Sequence, residues 1–170
     1  YTVCALHKTF LAPCGPLYDK ASVVPVRKIW PSYDGAVMRI WRGASGWRED
    51  RCAEAGLLET LVLTEGVEDA LTMALADPKN RVWAVGSLGN LGKIALPACA
   101  ERVIVCQDND WGKPQAAQLF RQALARLATQ DGPVGRRELL VTRSPVGKDA
   151  NDALRGKGHM SKHSRGEVLQ

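Results

Sequence analysis

Acidic side chains follow three of the apolar runs in this sequence. Glu65 stands directly after one run, Asp108 and Asp110 follow another, and Asp149 lies a few residues past a third. Carboxylates that converge repel each other, by on the order of 4 kcal/mol per pair at ~4 Å in an effective dielectric of about 20. A divalent cation removes this cost, and oxygen ligands without nearby Cys or His favour Mg²⁺ or Mn²⁺ over Zn²⁺. The pattern therefore indicates a metal site with coordination positions left for water and phosphate.

The acidic residues can converge only if the runs before them are neighbouring strands. The runs predict four β-strands, at residues 61–64, 82–85, 102–106 and 138–142, with a Gly-rich turn after the second. Helical periodicity predicts one helix that ends before Pro78 and another with Pro114 in its first turn. Alternating strands and helices predict an α/β fold with a parallel sheet covered by helices on both faces. Such sheets bind ligands at the carboxyl ends of their strands, so the acidic residues are expected at one rim.

Three regions of the chain differ in residue composition and in hydrophobic pattern. Residues 1–57 are rich in Trp, Arg, Pro and Gly and are predicted to form a small β-rich segment of short strands and turns. Within it, residues 37–42 alternate as a half-exposed strand does. Residues 58–156 hold the alternating strands and helices. Residues 157–170 are predicted to be a flexible basic tail.

Composition narrows the class of protein further. The formal net charge of +5 suits a polyanionic partner without specifying one. The five cysteines include no C-x-x-C pair, which argues against a zinc ribbon or a disulfide framework and favours a reducing cytoplasm. No apolar run approaches the ~20 residues of a transmembrane helix, so no membrane association is expected.

Each acidic residue also has a purely structural alternative. A single Glu at a strand end is often solvated or caps a helix. Asp108 or Asp110 could cap the helix near Pro114, and Asp149 or Asn151 could cap a short helix before residue 155. The joint arrangement of the carboxylates at successive strand ends favours the metal site over these separate explanations.

Three motifs resemble those of the Toprim family. Residues 64–71 are similar to its first motif, a strand ending in Glu-Gly with an Asp four residues after the Glu. Residues 107–112, with the following Ala116-Ala117, resemble its Asp-x-Asp motif. Residues 147–152 resemble the Lys-Asp segment of primase Toprim domains, especially those of phage primase-helicases. The resemblance covers roughly residues 58–156, and residues 7–11 and 35–40 look like the lead-in of phage- and plasmid-type primases.

The resemblance implies a role for each matching residue. Glu65 would be a metal ligand and a general base for a 3′-hydroxyl, with Asp108 and Asp110 as the metal anchors. Asp69 and Asp149 would complete or orient the ligand set, and Lys148 would contact a nucleotide phosphate. The implied reaction is that of a DNA primase, which joins ribonucleotides on a single-stranded DNA template with Mg²⁺ or Mn²⁺ and releases pyrophosphate.

The implied partners are single-stranded DNA and nucleoside triphosphates, and a replicative helicase is a further candidate. The replication of a phage, plasmid or mobile element is the implied setting. A groove for the template could be lined by basic residues of the N-terminal segment, or these could form an ordinary solvated face: Arg27, Lys28, Arg39 and Arg42. Two alternatives stay open, a Toprim nuclease and a non-catalytic nucleic-acid-binding module.

Overall fold

A computed structural model describes residues 2–109 and 113–156 of the chain. Five helices and eleven strands are present in these residues. In chain order they are β1 (Leu6–Thr9), β2 (Leu11–Cys14), β3 (Leu17–Lys20), β4 (Arg27–Trp30), β5 (Met38–Arg42), α1 (Glu49–Glu54), β6 (Glu59–Thr64), α2 (Val67–Ala76), β7 (Arg81–Ala84), α3 (Leu88–Leu91), β8 (Ala100–Gln107), α4 (Pro114–Ala128), β9 (Asp131–Gly132), β10 (Gly135–Arg136), β11 (Glu138–Arg143) and α5 (Ala150–Leu154).

A five-stranded sheet forms the centre of the fold, in the order β11-β8-β6-β7-β5. The four strands β11, β8, β6 and β7 are parallel, and β5 pairs antiparallel with β7 at one edge. The predicted α/β class is therefore confirmed, and the four predicted strands lie within two residues of their predicted bounds at each end. The antiparallel edge comes from the predicted half-exposed strand at residues 37–42, which joins this sheet.

Helices cover both faces of the sheet because the strand side chains alternate. On one face, Leu61 and Leu63 of β6 are buried in a cluster with Leu127 of α4. On the other face, Val62 packs with Ala70 of α2. Strand β11 lies at the sheet edge and is exposed along most of its length. Its apolar sequence alone would have placed it in the interior.

The connections place a crevice between β6 and β8. From β6 the chain passes through α2 to β7 on one side, and it then returns past β6 to β8 on the other side. Ligands of open α/β sheets bind at such a reversal of strand order, outside the carboxyl ends of the strands. Glu65 follows β6 and Asp108 follows β8, so the two carboxylates flank this position.

The opposite end of the sheet is held by a buried arginine. Arg81 is 1% exposed, and its Nη2 lies 2.6 Å from Glu59 Oε2 while its Nη1 lies 3.3 Å from Glu49 Oε1. Glu49 begins α1, in a region where the sequence predicts short strands and turns. That prediction was wrong because a helix of six residues is too short to give a visible period. The network attaches the N-terminal segment to the sheet at the end away from Glu65.

A second short helix, α3, replaces much of the predicted Gly-rich turn after β7. The side-chain amide of Asn90 accepts a hydrogen bond from Gly35 N at 2.7 Å and donates to Ala36 O and Val85 O at 2.8 Å each. One buried side chain thus satisfies three backbone groups. It also fixes the chain before β5 against the end of β7.

The five cysteines are free thiols. In the described ranges, 2–109 and 113–156, every helix is too short or too polar to pass through a lipid bilayer.

Candidate active site

Glu65 is fixed where β6 turns into α2. Thr64 Oγ1 donates a hydrogen bond to Gly66 O at 2.8 Å, and Gly86 N donates to Glu65 O at 2.9 Å. The turn is therefore tied both to itself and to the end of β7. The half-buried Glu65 side chain lines a cleft that Asp108 also lines, as the sequence predicted for neighbouring strand ends.

Asp108 stands at the end of β8 beside a cation. Its side chain is 15% exposed, and its Oδ2 lies 3.1 Å from the Lys148 ammonium. The Lys148 side chain is 52% exposed and reaches Asp108 from the loop between β11 and α5. A half-exposed positive charge therefore lies at the rim beside Asp108.

Asn109 holds that loop in place. Its side-chain amide donates to Ser144 O and Gly147 O at 3.0 Å each, and its backbone N–H donates to Lys148 O at 2.6 Å. Three hydrogen bonds from one residue thus fasten the loop to the end of β8. No feature of the sequence predicts this role of Asn109, because its partners lie about 35 residues away.

Asp69 lies on the first turn of α2 and is 7% exposed. Its Oδ1 accepts a hydrogen bond from Asn151 N at 2.9 Å, which connects α2 to the start of α5. Burial, together with the nearby carboxylates of Asp149, Asp108 and Glu68, raises the pKa of Asp69 to about 6, although the hydrogen bond from Asn151 N acts in the opposite direction. The Asp69 side chain is therefore close enough to the other acidic groups for their negative charge to repel its own.

Asp149 caps α5. Its Oδ1 accepts a hydrogen bond from Asp152 N at 2.9 Å, which is the geometry of a helix N-cap. Asp149 therefore does cap a short helix, as the purely structural explanation of this residue predicts. Its negative charge still acts on Asp69, so capping and a contribution to the acidic cluster coexist.

The described carboxylates suit a hard cation but do not form a complete ligand set. In residues 2–109 and 113–156, no three acidic, His or Cys side chains converge closely enough to hold a metal ion. Asp110, the third member of the predicted trio, lies outside the described residues. Glu65 and Asp108 supply oxygen donors to one cleft, and Asp69 supplies one on the other side of Asp108. Such donors favour Mg²⁺ or Mn²⁺.

The four basic residues predicted for the template groove do not converge. Arg27 reaches the rim, where its Nη2 lies 3.0 Å from Glu68 Oε1, and Lys28 follows it as an exposed residue of β4. Arg39 instead pairs with Glu49 at 3.2 Å and lies over the Trp83 ring.

Arg42 is farther still from the rim. It lies opposite Arg81, the first residue of β7, at the amino end of the sheet. Its Nη1 donates to the backbone oxygen of Gly46 at 3.4 Å. The contact with Glu68 therefore ties Arg27 to the acidic rim, whereas Arg39 and Arg42 make the contacts described above elsewhere on the sheet.

Comparisons with known proteins find similarity in family and in fold. A family model described as "Toprim domain" matches residues 60–160. The crystal structure of a DNA primase domain from Pseudomonas aeruginosa is similar with a TM-score of 0.50 and 16% identity, over 91% of this chain and 43% of that one. The structure of the DnaG catalytic core has a TM-score of 0.47 and 19% identity, over 81% of this chain and 42% of that one.

The chain thus spans less than half the length of each of these structures. At such identities the likeness concerns the fold alone. No curated protein matches the chain. Toprim domains generally bind a divalent metal and are usually catalytic. Because the family model covers more than half of the sequence, this chain belongs to the Toprim family.

Proposed function

We propose that the chain is the catalytic core of a DNA primase, which joins ribonucleotides on a single-stranded DNA template. The observation that carries this proposal is the position of the Lys148 ammonium, 3.1 Å from Asp108 in the rim that Glu65 also lines. A site for nucleotidyl transfer needs carboxylates for a metal and a cation for the triphosphate, and both are supplied here. The motifs at residues 7–11, 35–40 and 147–152 favour a phage, plasmid or mobile-element setting.

The metal ligands in this proposal are Glu65, Asp108 and Asp110, with Asp69 and Asp149 completing or orienting the set. Mg²⁺ or Mn²⁺, when bound, stabilises negative charge on the transferring phosphorus and on the leaving pyrophosphate. Lys148 shifts from Asp108 to a phosphate oxygen of the incoming nucleotide, since its exposed side chain has room to move. A compact ammonium suits contact with a phosphate.

Glu65 acts as the general base. Its carboxylate takes the proton of the attacking 3′-hydroxyl, whose oxygen forms a bond to the α-phosphorus. The bond from that phosphorus to the oxygen of the β-phosphate breaks, and pyrophosphate leaves with the electron pair. The Lys148 ammonium offsets one of the negative charges that the triphosphate brings toward the carboxylates.

A non-catalytic binding module is less consistent with these charges. The carboxylates of Asp149, Asp108 and Glu68 lie close enough to Asp69 to raise the pKa of Asp69. Such a cluster repels nucleic-acid phosphates unless a cation intervenes. A protein that only binds nucleic acid gains nothing from this arrangement.

Primer synthesis tests the proposal. The protein is incubated with single-stranded DNA, nucleoside triphosphates and Mg²⁺ or Mn²⁺, and short RNA products are resolved on a gel. Glu65→Gln is expected to lower the rate by about 10²- to 10⁴-fold, as loss of a general base does. Asp131→Asn is the matched control, because Asp131 is exposed on β9. Degradation of the DNA without synthesis would instead identify a nuclease.

A further inference from the structure

Strands β1 and β4 form an antiparallel ribbon with two chemically different faces. Leu6 lies directly opposite Trp30, and Lys8 directly opposite Lys28. Directly opposite residues share one face of an antiparallel pair, and residues two apart along a strand share it as well. We call the face formed by Leu6, Lys8, Lys28 and Trp30 the ribbon face. All four of these residues are exposed.

The apolar half of the ribbon face is open to solvent. Trp30 and Leu6 are each 67% exposed, although they form a cross-strand pair of large apolar side chains. Single exposed apolar residues are ordinary, but a paired Trp and Leu beside two lysines form a small patch of mixed character. An indole ring in this position offers a flat surface to a ligand.

The basic half of the ribbon face carries an unfavourable charge pair. Like charges that lie directly opposite each other in a sheet are destabilising. Within the described ranges neither Lys8 nor Lys28 forms an ion pair with a carboxylate, and the Lys8 ammonium lies 4.7 Å from the centre of the Phe10 ring. A polyanion that bound between the two lysines would relieve their repulsion.

The other face of the ribbon fixes its position on the sheet. Ile29 and Tyr33 pack so closely over Gly86 that a Cβ there would lie 2.9 Å from Tyr33 Cε2 and 3.5 Å from Ile29 Cδ1. The Tyr33 hydroxyl bonds to Ser87 Oγ at 2.8 Å. Gly86 follows the carboxyl end of β7, and Glu65 follows the carboxyl end of β6. The ribbon therefore lies at the same end of the sheet as Glu65.

A second attachment holds the ribbon beside the acidic rim. Arg27, the first residue of β4, pairs with Glu68 at 3.0 Å, and Lys20 of β3 pairs with the same carboxylate at 3.0 Å. Glu68 precedes Asp69 in the first turn of α2. The start of β4, directly before Lys28 of the ribbon face, is therefore attached to the acidic rim.

We propose that the ribbon face binds single-stranded nucleic acid. Trp30 stacks on an unpaired base, with Leu6 against the same base, while Lys8 and Lys28 contact two successive phosphates. A stacked base must be unpaired, so the face selects single strands over duplex. The inference rests on the proposed function only where it identifies the bound strand as the template, since binding itself needs neither metal nor nucleotide.

Binding of a fluorescein-labelled oligothymidylate, measured by fluorescence anisotropy in EDTA, tests the stacking contact. Trp30→Ala is expected to weaken binding by about 5- to 150-fold, the range for loss of one stacked base. Trp30→Phe should retain most of the affinity because it keeps an aromatic ring. On an abasic strand with the same number of phosphates, Trp30→Ala and the unaltered protein should bind equally.

Salt dependence tests the lysines. Lys8→Gln with Lys28→Gln should reduce the slope of log K against log salt by about 1.4, because each phosphate contact on a single strand contributes about 0.7. Lys79→Gln with Arg126→Gln is the matched control. It removes the same charge from two exposed positions, one in the loop between α2 and β7 and one on α4. In this control the slope should not change.

The inference is overturned if the unaltered protein does not bind the oligothymidylate at low salt, if Trp30→Ala binds it equally well, or if duplex DNA binds as tightly as the single strand. Melting temperatures of all variants identify any loss of folding. If Trp30→Ala is unstable, the unaltered protein keeps the test decisive, because it should bind the abasic strand more weakly than the oligothymidylate, and equal binding of the two strands would overturn the inference. Trp30-dependent binding in a protein that makes no primers would contradict the proposed function alone. Primer synthesis with binding independent of Trp30 would contradict the ribbon inference alone.

Discussion

The Lys148 ammonium lies 3.1 Å from Asp108 Oδ2, so a cation of the protein already stands at a proposed metal ligand. Removing the Lys148 ammonium makes the net charge of the site more negative. Lys148→Ala is expected to tighten Mn²⁺ binding by up to about fivefold, the scale of an exposed ion pair. The same change should raise the KM for nucleoside triphosphates, because a phosphate contact is lost. Titration of Mn²⁺ and steady-state primer synthesis measure the two effects, and weaker metal binding would contradict this role.

Asn109 should matter through the loop that it fastens rather than through contact with substrate. Asn109→Ala removes two side-chain hydrogen bonds, to Ser144 O and Gly147 O, and is expected to cost about 1–3 kcal/mol of unfolding free energy. Hydrogen exchange over residues 144–148 should become faster. Asn80→Ala serves as a control, since the Asn80 amide bonds to the exposed Asp77 instead. Unchanged exchange in Asn109→Ala would exclude the positioning role.

Asp69 makes stability depend on pH in the absence of metal. Burial, followed by the carboxylates of Asp149 and Asp108, raises its pKa from 3.8 to about 6 in the folded protein. The folded state therefore favours the neutral acid. The resulting penalty is absent below pH 4, grows between pH 4 and 6, and is complete above pH 6.

Asp69→Asn removes that penalty and keeps an oxygen to accept from Asn151 N. Its melting temperature in EDTA should exceed that of the unaltered protein at pH 8, and the difference should disappear toward pH 4. A difference independent of pH would show that the ionisation of Asp69 is not its cause.

Two substitutions of Asp149 distinguish its role as a helix cap from a role in metal binding. Asp149→Ala should destabilise the protein by about 0.5–2 kcal/mol, whereas Asp149→Ser should retain most of the stability because a serine hydroxyl caps a helix equally well. Urea denaturation measures both variants. If Asp149 also completes the ligand set, Asp149→Ser should fold normally yet bind Mn²⁺ more weakly.

The sequence allowed prediction of the elements that bring Glu65 and Asp108 together. Their strands are continuous apolar runs, and helical periodicity over α2 and α4 is long enough to recognise. The short helices α1 and α3 escaped prediction because four to six residues give no clear period.

Long-range contacts of polar side chains escaped prediction for a different reason. Asn109 and Glu68 act on partners brought close only by the tertiary fold, as in the hydrogen bonds of Asn109 to residues 144–148 and the ion pair of Glu68 with Arg27. Likewise, Arg39 is predicted at a template groove, but it pairs with Glu49, which lies on a helix that the sequence does not predict.

Direct titration of Mn²⁺ tests the central claim, that carboxylates at the ends of β6 and β8 hold a divalent metal. The free Mn²⁺ signal is followed by electron paramagnetic resonance as protein is added. Glu65→Gln and Asp108→Asn should each weaken binding by at least about tenfold, the lower end of the loss seen even for outer-shell partners of a metal. Asp131→Asn should bind as the unaltered protein does. Equal Mn²⁺ affinity in all four proteins would contradict the assignment of the site.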